Sequence, residues 1–106
     1  MNKTILAICF SALFASVPAF AGDPVEGQKK SETCKACHGP DGNSTAPDFP
    51  KIAGQHQDYL VKALKDYKSG ARKNAIMAPM VANLSTRDIE DLAAYYSAQK
   101  GLVLKY

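Results

Sequence analysis

Cys34-Lys35-Ala36-Cys37-His38 is a C-x-x-C-H run, and its reading decides the fold of this 106-residue chain. Two thiols three positions apart at the end of a helix lie on nearly the same face. Each can add its sulfur and hydrogen across one vinyl group of a porphyrin to form a thioether. The histidine that follows then sits under the ring and can give an imidazole nitrogen to the iron. The run reads as the attachment site of one covalently bound haem c, with Cys34 and Cys37 as thioether donors and His38 as an axial ligand. The spacing carries this chemistry and the intervening dipeptide does not. Five residues can match by chance, so the rest of the chain has to agree.

The N-terminus agrees. Lys3 gives a short positive start, residues 5–17 are almost unbroken apolar sequence, and Ala19-Phe20-Ala21 is an A-x-A cleavage site. This pattern is a secretory signal peptide, residues 1–21, cut after Ala21. The apolar stretch is shorter than the roughly 20 residues of a spanning helix, and no second one follows. No membrane span is expected in the remaining chain. Covalent haem attachment in bacteria happens outside the cytosol, so the expected location is the periplasm. Cys9 leaves with the signal peptide, and Cys34 and Cys37 are then the only thiols. No structural disulfide is available unless these two pair with each other.

Cleavage leaves residues 22–106, or 85 residues, which is one small domain. A domain of this size buries only about 60–65% of its unfolded surface. The chain also lacks tryptophan. A large apolar prosthetic group would supply the missing core. The charge after cleavage is near +2, from 12 basic and 10 acidic residues, too mild to argue for nucleic acid.

The expected class is all-α, with three main helices joined by long loops. The first helix is expected from Pro24 to Cys37, with Asp23 as N-cap and Pro24 in the first turn. Its apolar groups are few and small (Val25, Gly27, Ser31, Cys34, Cys37), so it needs something other than itself to bury. Residues 39–56, rich in glycine and proline, form a loop long enough to wrap a ligand. Leu60, Ala63, Leu64 and Tyr67 make one face of a second helix over 58–69, ended by Gly70. Residues 71–84 form a second loop. Ser85 and Asp88 resemble a capping box for the third helix, which Ile89, Leu92, Ala93, Tyr95 and Tyr96 follow at helical period and Gly101 stops.

A haem iron held by one histidine can stay open or take a second protein ligand. Met77 and Met80 lie in the second loop, which can reach the far face of the ring. A thioether favours ferrous iron and raises the potential. His56 is the other candidate, although its polar surroundings (Gln55, Gln57, Asp58) read better as surface. Only one methionine can bind, and spacing alone does not choose between them. The other would pack.

The chain resembles the class I cytochromes c, close to the cytochrome c4 and c-553 kind. The resemblance is carried by residues 34–43 (CKACHGPDGN), residues 46–55 (APDFPKIAGQ), Tyr59-Leu60, Leu64-Lys65, Met77 with Leu84-Ser85, and residues 88–95 (DIEDLAAY). It covers about residues 23–99. It implies the class I cytochrome c fold. It implies that the axial methionine stands seven residues before the Leu-Ser pair, which is Met77. It implies that the Pro47 carbonyl accepts a hydrogen bond from the free ring nitrogen of His38. It also implies a close crossing of the first and last helices at Gly27, near Leu92 and Tyr95. Ser31 departs from the aromatic residue many members carry one turn after that glycine. Cytochromes c4 carry two such domains, whereas this chain has one C-x-x-C-H and so one haem.

Two protein ligands saturate the iron and leave outer-sphere electron transfer as its chemistry. The expectation is a monomeric periplasmic electron carrier and not an enzyme. The resemblance suggests redox partners of the kind of a membrane cytochrome complex and a terminal oxidase or reductase. Lys62, Lys65, Lys68, Arg72 and Lys73, with Lys35 and Lys51, form either a rim that docks acidic partners or pairs haem propionates, or an ordinary solvated face. Tyr59 and Tyr67 could reach a propionate, although packing is the simpler reading. A haem sensor or peroxidase-like enzyme with a displaceable sixth ligand is the alternative. A thioredoxin-like protein would need strands, and a zinc site would need ligands beyond His38 and the distant His56.

Overall fold

The computed structural model describes residues 21–104. Five helices follow one another there: α1 (Pro24–Lys30), α2 (Glu32–His38), α3 (Gln57–Ser69), α4 (Met77–Val81) and α5 (Thr86–Ser97). The described residues include no strand, which removes the thioredoxin-like reading. The signal-peptide expectation for residues 1–21 falls almost wholly outside the described residues.

The first helix is broken where one continuous helix was expected. Asp23 caps α1 as anticipated, its carboxylate accepting from the Val25 N–H at 2.8 Å. At Ser31 the hydroxyl donates to the Gln28 carbonyl at 2.6 Å, and the Ser31 N–H bonds the same carbonyl at 3.3 Å. A serine that satisfies the preceding turn with its own side chain competes with helix continuation. The chain then restarts as α2, which delivers Cys34, Cys37 and His38 together.

α5 is the spine of the fold. Its capping box is present in full, with Ser85 N–H on Asp88 Oδ2 at 2.9 Å and Asp88 N–H on Ser85 Oγ at 3.1 Å. It crosses α1 at Gly27, where an added Cβ would lie 1.9 Å from the Asp91 carbonyl oxygen and 2.7 Å from Tyr95 Cβ. The crossing therefore meets Asp91 and Tyr95, where Leu92 and Tyr95 were expected. The helix ends at Ser97, short of Gly101. Beyond it the chain turns onto the first loop, with Leu102 N–H on the Ala53 carbonyl at 2.8 Å and Asn43 Nδ2 on the Lys100 carbonyl at 2.8 Å.

A cluster of charges fastens the same crossing. Asp91 is only 1% exposed. It accepts from Lys30 Nζ at 2.6 Å, from the Asp23 N–H at 2.8 Å, and sits 3.2 Å from Arg87 Nε. Lys30 also reaches Asp88 at 2.9 Å. The Lys30 ammonium holds both carboxyls below the usual range, Asp88 at about 2.

The second helix is close to expectation, and Gly70 caps it at φ +85 in the left-handed region that favours glycine. The second loop is not wholly irregular. Asn74 Oδ1 accepts from the N–H groups of Ile76 and Met77, both at 2.9 Å, and nucleates the short helix α4. The core is small. Leu60 of α3 meets Leu92, Ala93, Tyr95 and Tyr96 of α5, with Cys34, Ile52, Val61, Leu64 and Leu84 at its edge. It stops where a large cavity begins.

Candidate functional site

The cavity has a volume of about 400 Å³ and is lined mainly by apolar side chains. α2 gives it Cys34, Cys37 and His38. α4 gives it Met77 and Met80. α3, α5 and the first loop supply the rest of the wall, among them Leu60, Leu64, Leu92 and Ile52. The four residues expected to hold the haem thus meet in one space, and both candidate methionines reach it.

Cys34 and Cys37 are free thiols, each half-buried. Burial pushes the Cys34 thiol up, against a smaller opposing effect of the neighbouring Tyr96 hydroxyl. His38 is buried, and its Nδ1 lies 2.8 Å from the Pro50 carbonyl oxygen. A carbonyl can only accept, so Nδ1 carries a proton, which leaves Nε2 as the nitrogen that a metal could take.

The carbonyl that orients His38 corrects the expectation of Pro47. Phe49 N–H bonds the Ala46 carbonyl at 3.1 Å, so Pro47 sits inside an exposed turn. The loop returns only afterwards, when Ile52 and Ala53 donate to the Gly42 carbonyl at 2.9 and 3.2 Å. That return brings Pro50 to the end of α2. Tyr95 Oη, donating to the Pro40 carbonyl at 3.0 Å, ties the start of the same loop to α5.

His56 is exposed and does not line the cavity. The basic cluster divides. Lys62 is paired with Asp66 at 2.5 Å, Lys35 with Glu32 at 2.8 Å, and Lys68 donates to the Leu84 carbonyl. Lys65 and Lys73 are exposed and lie outside the cavity lining. Arg72 and Lys51 line the cavity, as do Tyr59 and Tyr67.

One contributor went unanticipated as such. Tyr96 is 3% exposed, and its hydroxyl has no hydrogen-bond partner. Burial pushes this hydroxyl far up, with the Cys34 thiol beside it adding to the effect. An unpartnered buried hydroxyl costs about 1–3 kcal/mol. Tyr96 lines the cavity next to Cys34. It was read from sequence only as one point on an apolar face, and nothing in the periodicity marks its hydroxyl as lacking a partner.

A flat apolar group with two reactive vinyl carbons and a metal fits this donor set. Two thiols from one helix end, an imidazole that leaves Nε2 for a metal and thioethers from a separate helix surround one apolar space. A model of the family described as Cytochrome c matches residues 24–99. The chain belongs to the cytochrome c family. Its cofactor is haem c, covalently attached.

Cytochrome c4 from Pseudomonas aeruginosa is 44% identical over 100 residues, which cover 94% of this chain and 50% of that protein. Cytochrome c-554(548) from Halomonas halodenitrificans is 48% identical over 83 residues, 76% of this chain and the whole of that protein. The reduced recombinant cytochrome c4 from Pseudomonas stutzeri superimposes with a TM-score of 0.74 at 51% identity, over 78% of this chain and 48% of that one. This cytochrome thus spans about half the length of the cytochrome c4 relatives it matches. Among its described residues no helix is long and apolar enough to cross a membrane.

Proposed function

We propose that this cytochrome is a single-haem electron carrier of the periplasm, with His38 and Met77 as the axial ligands of the iron. The observation that carries the reading is the meeting of Cys34, Cys37, His38 and Met77 in one apolar cavity. Once bound, the haem supplies one-electron chemistry, its iron alternating between the ferrous and ferric states.

The remaining work falls to the chain. Cys34 and Cys37 hold the ring through thioethers and make it part of the core. His38 offers Nε2 because the Pro50 carbonyl keeps the proton on Nδ1. Met77 offers a neutral sulfur, which favours the reduced state. Asn74 fixes the first turn of α4 and so the place of Met77. Leu60, Leu64, Ile52 and Leu92 exclude water and lower the polarity around the ring, which further favours the less charged iron. With His38 and Met77 both holding the haem iron, no position would be left there for a substrate, and the group would supply outer-sphere electron transfer. The reading includes a signal peptide over residues 1–21, a cytochrome domain over 22–106, and redox-protein partners on both sides of the transfer.

The test is an absorption spectrum of the exported protein, oxidised and reduced, with a pyridine haemochrome assay. Methionine ligation is expected to give one haem per chain and a weak ferric band at the red end of the visible range. A coloured protein that lacks this band and binds carbon monoxide readily when reduced would be a sensor or a peroxidase-like enzyme instead. A colourless protein from cells able to attach haem overturns the whole assignment.

A further inference from the structure

We infer that the Tyr96 hydroxyl donates a hydrogen bond to the sulfur of Cys34 once that sulfur is a thioether, and that this bond raises the potential of the iron. The inference rests on the haem reading above and gives a role to a side chain that the C-x-x-C-H motif does not point to.

Tyr96 is held from several sides. Its carbonyl accepts from the Gly54 N–H at 2.9 Å and from the Gln99 N–H at 3.2 Å, which fixes the backbone near the end of α5. Its ring centre lies 4.9 Å from that of Tyr95, with the two planes tilted by 55°. On another side stands Gly42 of the first loop, where an added Cβ would come within 2.8 Å of Tyr96 Cδ1. A ring packed in this way cannot swing its hydroxyl out to water, and the residue is buried. The O–H has to find its partner where it stands, and among the described residues it has none.

Cys34 and Ser31 adjoin the hydroxyl. Ser31 is fully buried, and its own hydrogen is committed to the Gln28 carbonyl at 2.6 Å. It has a lone pair to accept with, but it does not line the cavity. Cys34 and Tyr96 both line it, and Cys34 packs against the cluster that contains Tyr96. Addition of the thiol to a vinyl group moves its hydrogen to carbon, so the sulfur becomes an acceptor with no donor of its own. The bond also ties that sulfur to the ring. A phenol O–H kept from water loses no solvent bond by turning to it, and low polarity strengthens a contact that is weak in water. The other hydroxyl near this sulfur, on Thr33, is exposed and meets solvent. A donor on the thioether draws electron density from the ring edge, which favours ferrous iron.

The test uses haem-loaded protein and reads its two carbon–sulfur stretching bands by resonance Raman spectroscopy, with the midpoint potential beside them. After full exchange into heavy water, one of the two wild-type bands is expected to shift. Tyr96→Phe keeps the ring and removes the hydroxyl. It should abolish that shift and move the ferrous-to-ferric ratio about threefold toward ferric, roughly 30 mV for one electron. Tyr95→Phe removes the neighbouring hydroxyl, which bonds the Pro40 carbonyl, and should leave the deuterium shift in place. Ser31→Ala should leave it in place as well. Wild-type bands that ignore deuterium overturn the inference without any variant. Unchanged bands or an unchanged potential in Tyr96→Phe overturn it too, since the hydroxyl then only fills space. A deuterium shift that appears in Ser31→Ala and is missing from wild type shows that the hydroxyl serves Ser31, which also overturns it. A wild-type protein without haem sinks the parent reading. Normal haem with insensitive bands sinks the thioether bond alone.

Discussion

Lys30 Nζ lies 2.6 Å from Asp91 Oδ2, joining α1 to a carboxylate that α5 keeps almost wholly out of water. A buried charge is tolerable only while its partners remain. Lys30→Met is expected to destabilise the haem-loaded protein, since it strands Asp91 with only Asp23 N–H and the exposed Arg87. Urea unfolding followed by far-ultraviolet circular dichroism at pH 7 reads this directly. A loss under about 0.5 kcal/mol, the scatter of ordinary surface changes, would mean the cluster is decorative.

The same cluster sets an acid limit. Asp88 and Asp91 have folded-state values below the ordinary carboxyl value of 3.8, pulled there first by Lys30. A group depressed on folding stabilises the fold above its unfolded value and loses that contribution as protons arrive. The advantage of wild type over Asp88→Asn should therefore be full above about pH 5 and fade as the pH falls through 4 toward about 2. Thermal unfolding at half-unit steps of pH measures it. A gap that persists unchanged at pH 2 contradicts the assignment.

Gly27 makes a sharper claim. A methyl group there would overlap the Asp91 carbonyl, 1.9 Å away, and backbone cannot rotate aside as a side chain can. Gly27→Ala should cost about 3 kcal/mol, at the upper end of overpacking, although alanine is the better helix former by about 1 kcal/mol. A stabilised Gly27→Ala protein would show that the helices do not cross so closely.

These features differ in how legible they were. Asp23, Gly70 and the Ser85/Asp88 box act within three or four residues of chain, and each announced itself by residue type. The C-x-x-C-H run did the same for the cofactor. The break at Ser31 was missed because periodicity continues through it and only the direction of one hydroxyl interrupts the helix. The short helix α4 was missed because a five-residue element shows no period, although Asn74 three residues before Met77 is a usable signal. Pro50 in place of Pro47, and Asp91 in place of Leu92 at the crossing, depend on where a long loop folds back and how two helices rotate. Those are tertiary outcomes, which sequence spacing does not contain. The place of the Tyr96 hydroxyl beside Cys34 and Ser31 is of the same kind.

The two prolines can be separated by experiment. Pro47→Ala should leave the potential of the haem-loaded protein unchanged, because its turn is exposed. Pro50→Gly frees the segment whose carbonyl holds His38 Nδ1. A looser hydrogen bond makes the imidazole a poorer donor, which disfavours ferric iron. The ferrous-to-ferric ratio should rise about threefold, or roughly 30 mV for one electron. The reverse pattern in a redox titration would restore Pro47 as the partner.

The two methionines allow the most decisive comparison. Both line the cavity, but Met80 is 46% exposed at its rim, whereas Met77 is half-buried and its N–H is fixed by Asn74. A ligand gains from burial and from a fixed backbone, because less freedom is lost when it binds. Met77→Ala should keep the covalent haem, lose the red-end ferric band, lower the potential and let carbon monoxide bind the reduced iron. Asn74→Ala should weaken the same band without abolishing it, since it loosens the first turn of α4 and leaves the sulfur in place. Met80→Ala should leave the spectrum intact, because it removes only an exposed side chain. If Met80→Ala abolishes the band and Met77→Ala preserves it, the sixth ligand is Met80, and α4 must present its second turn to the ring.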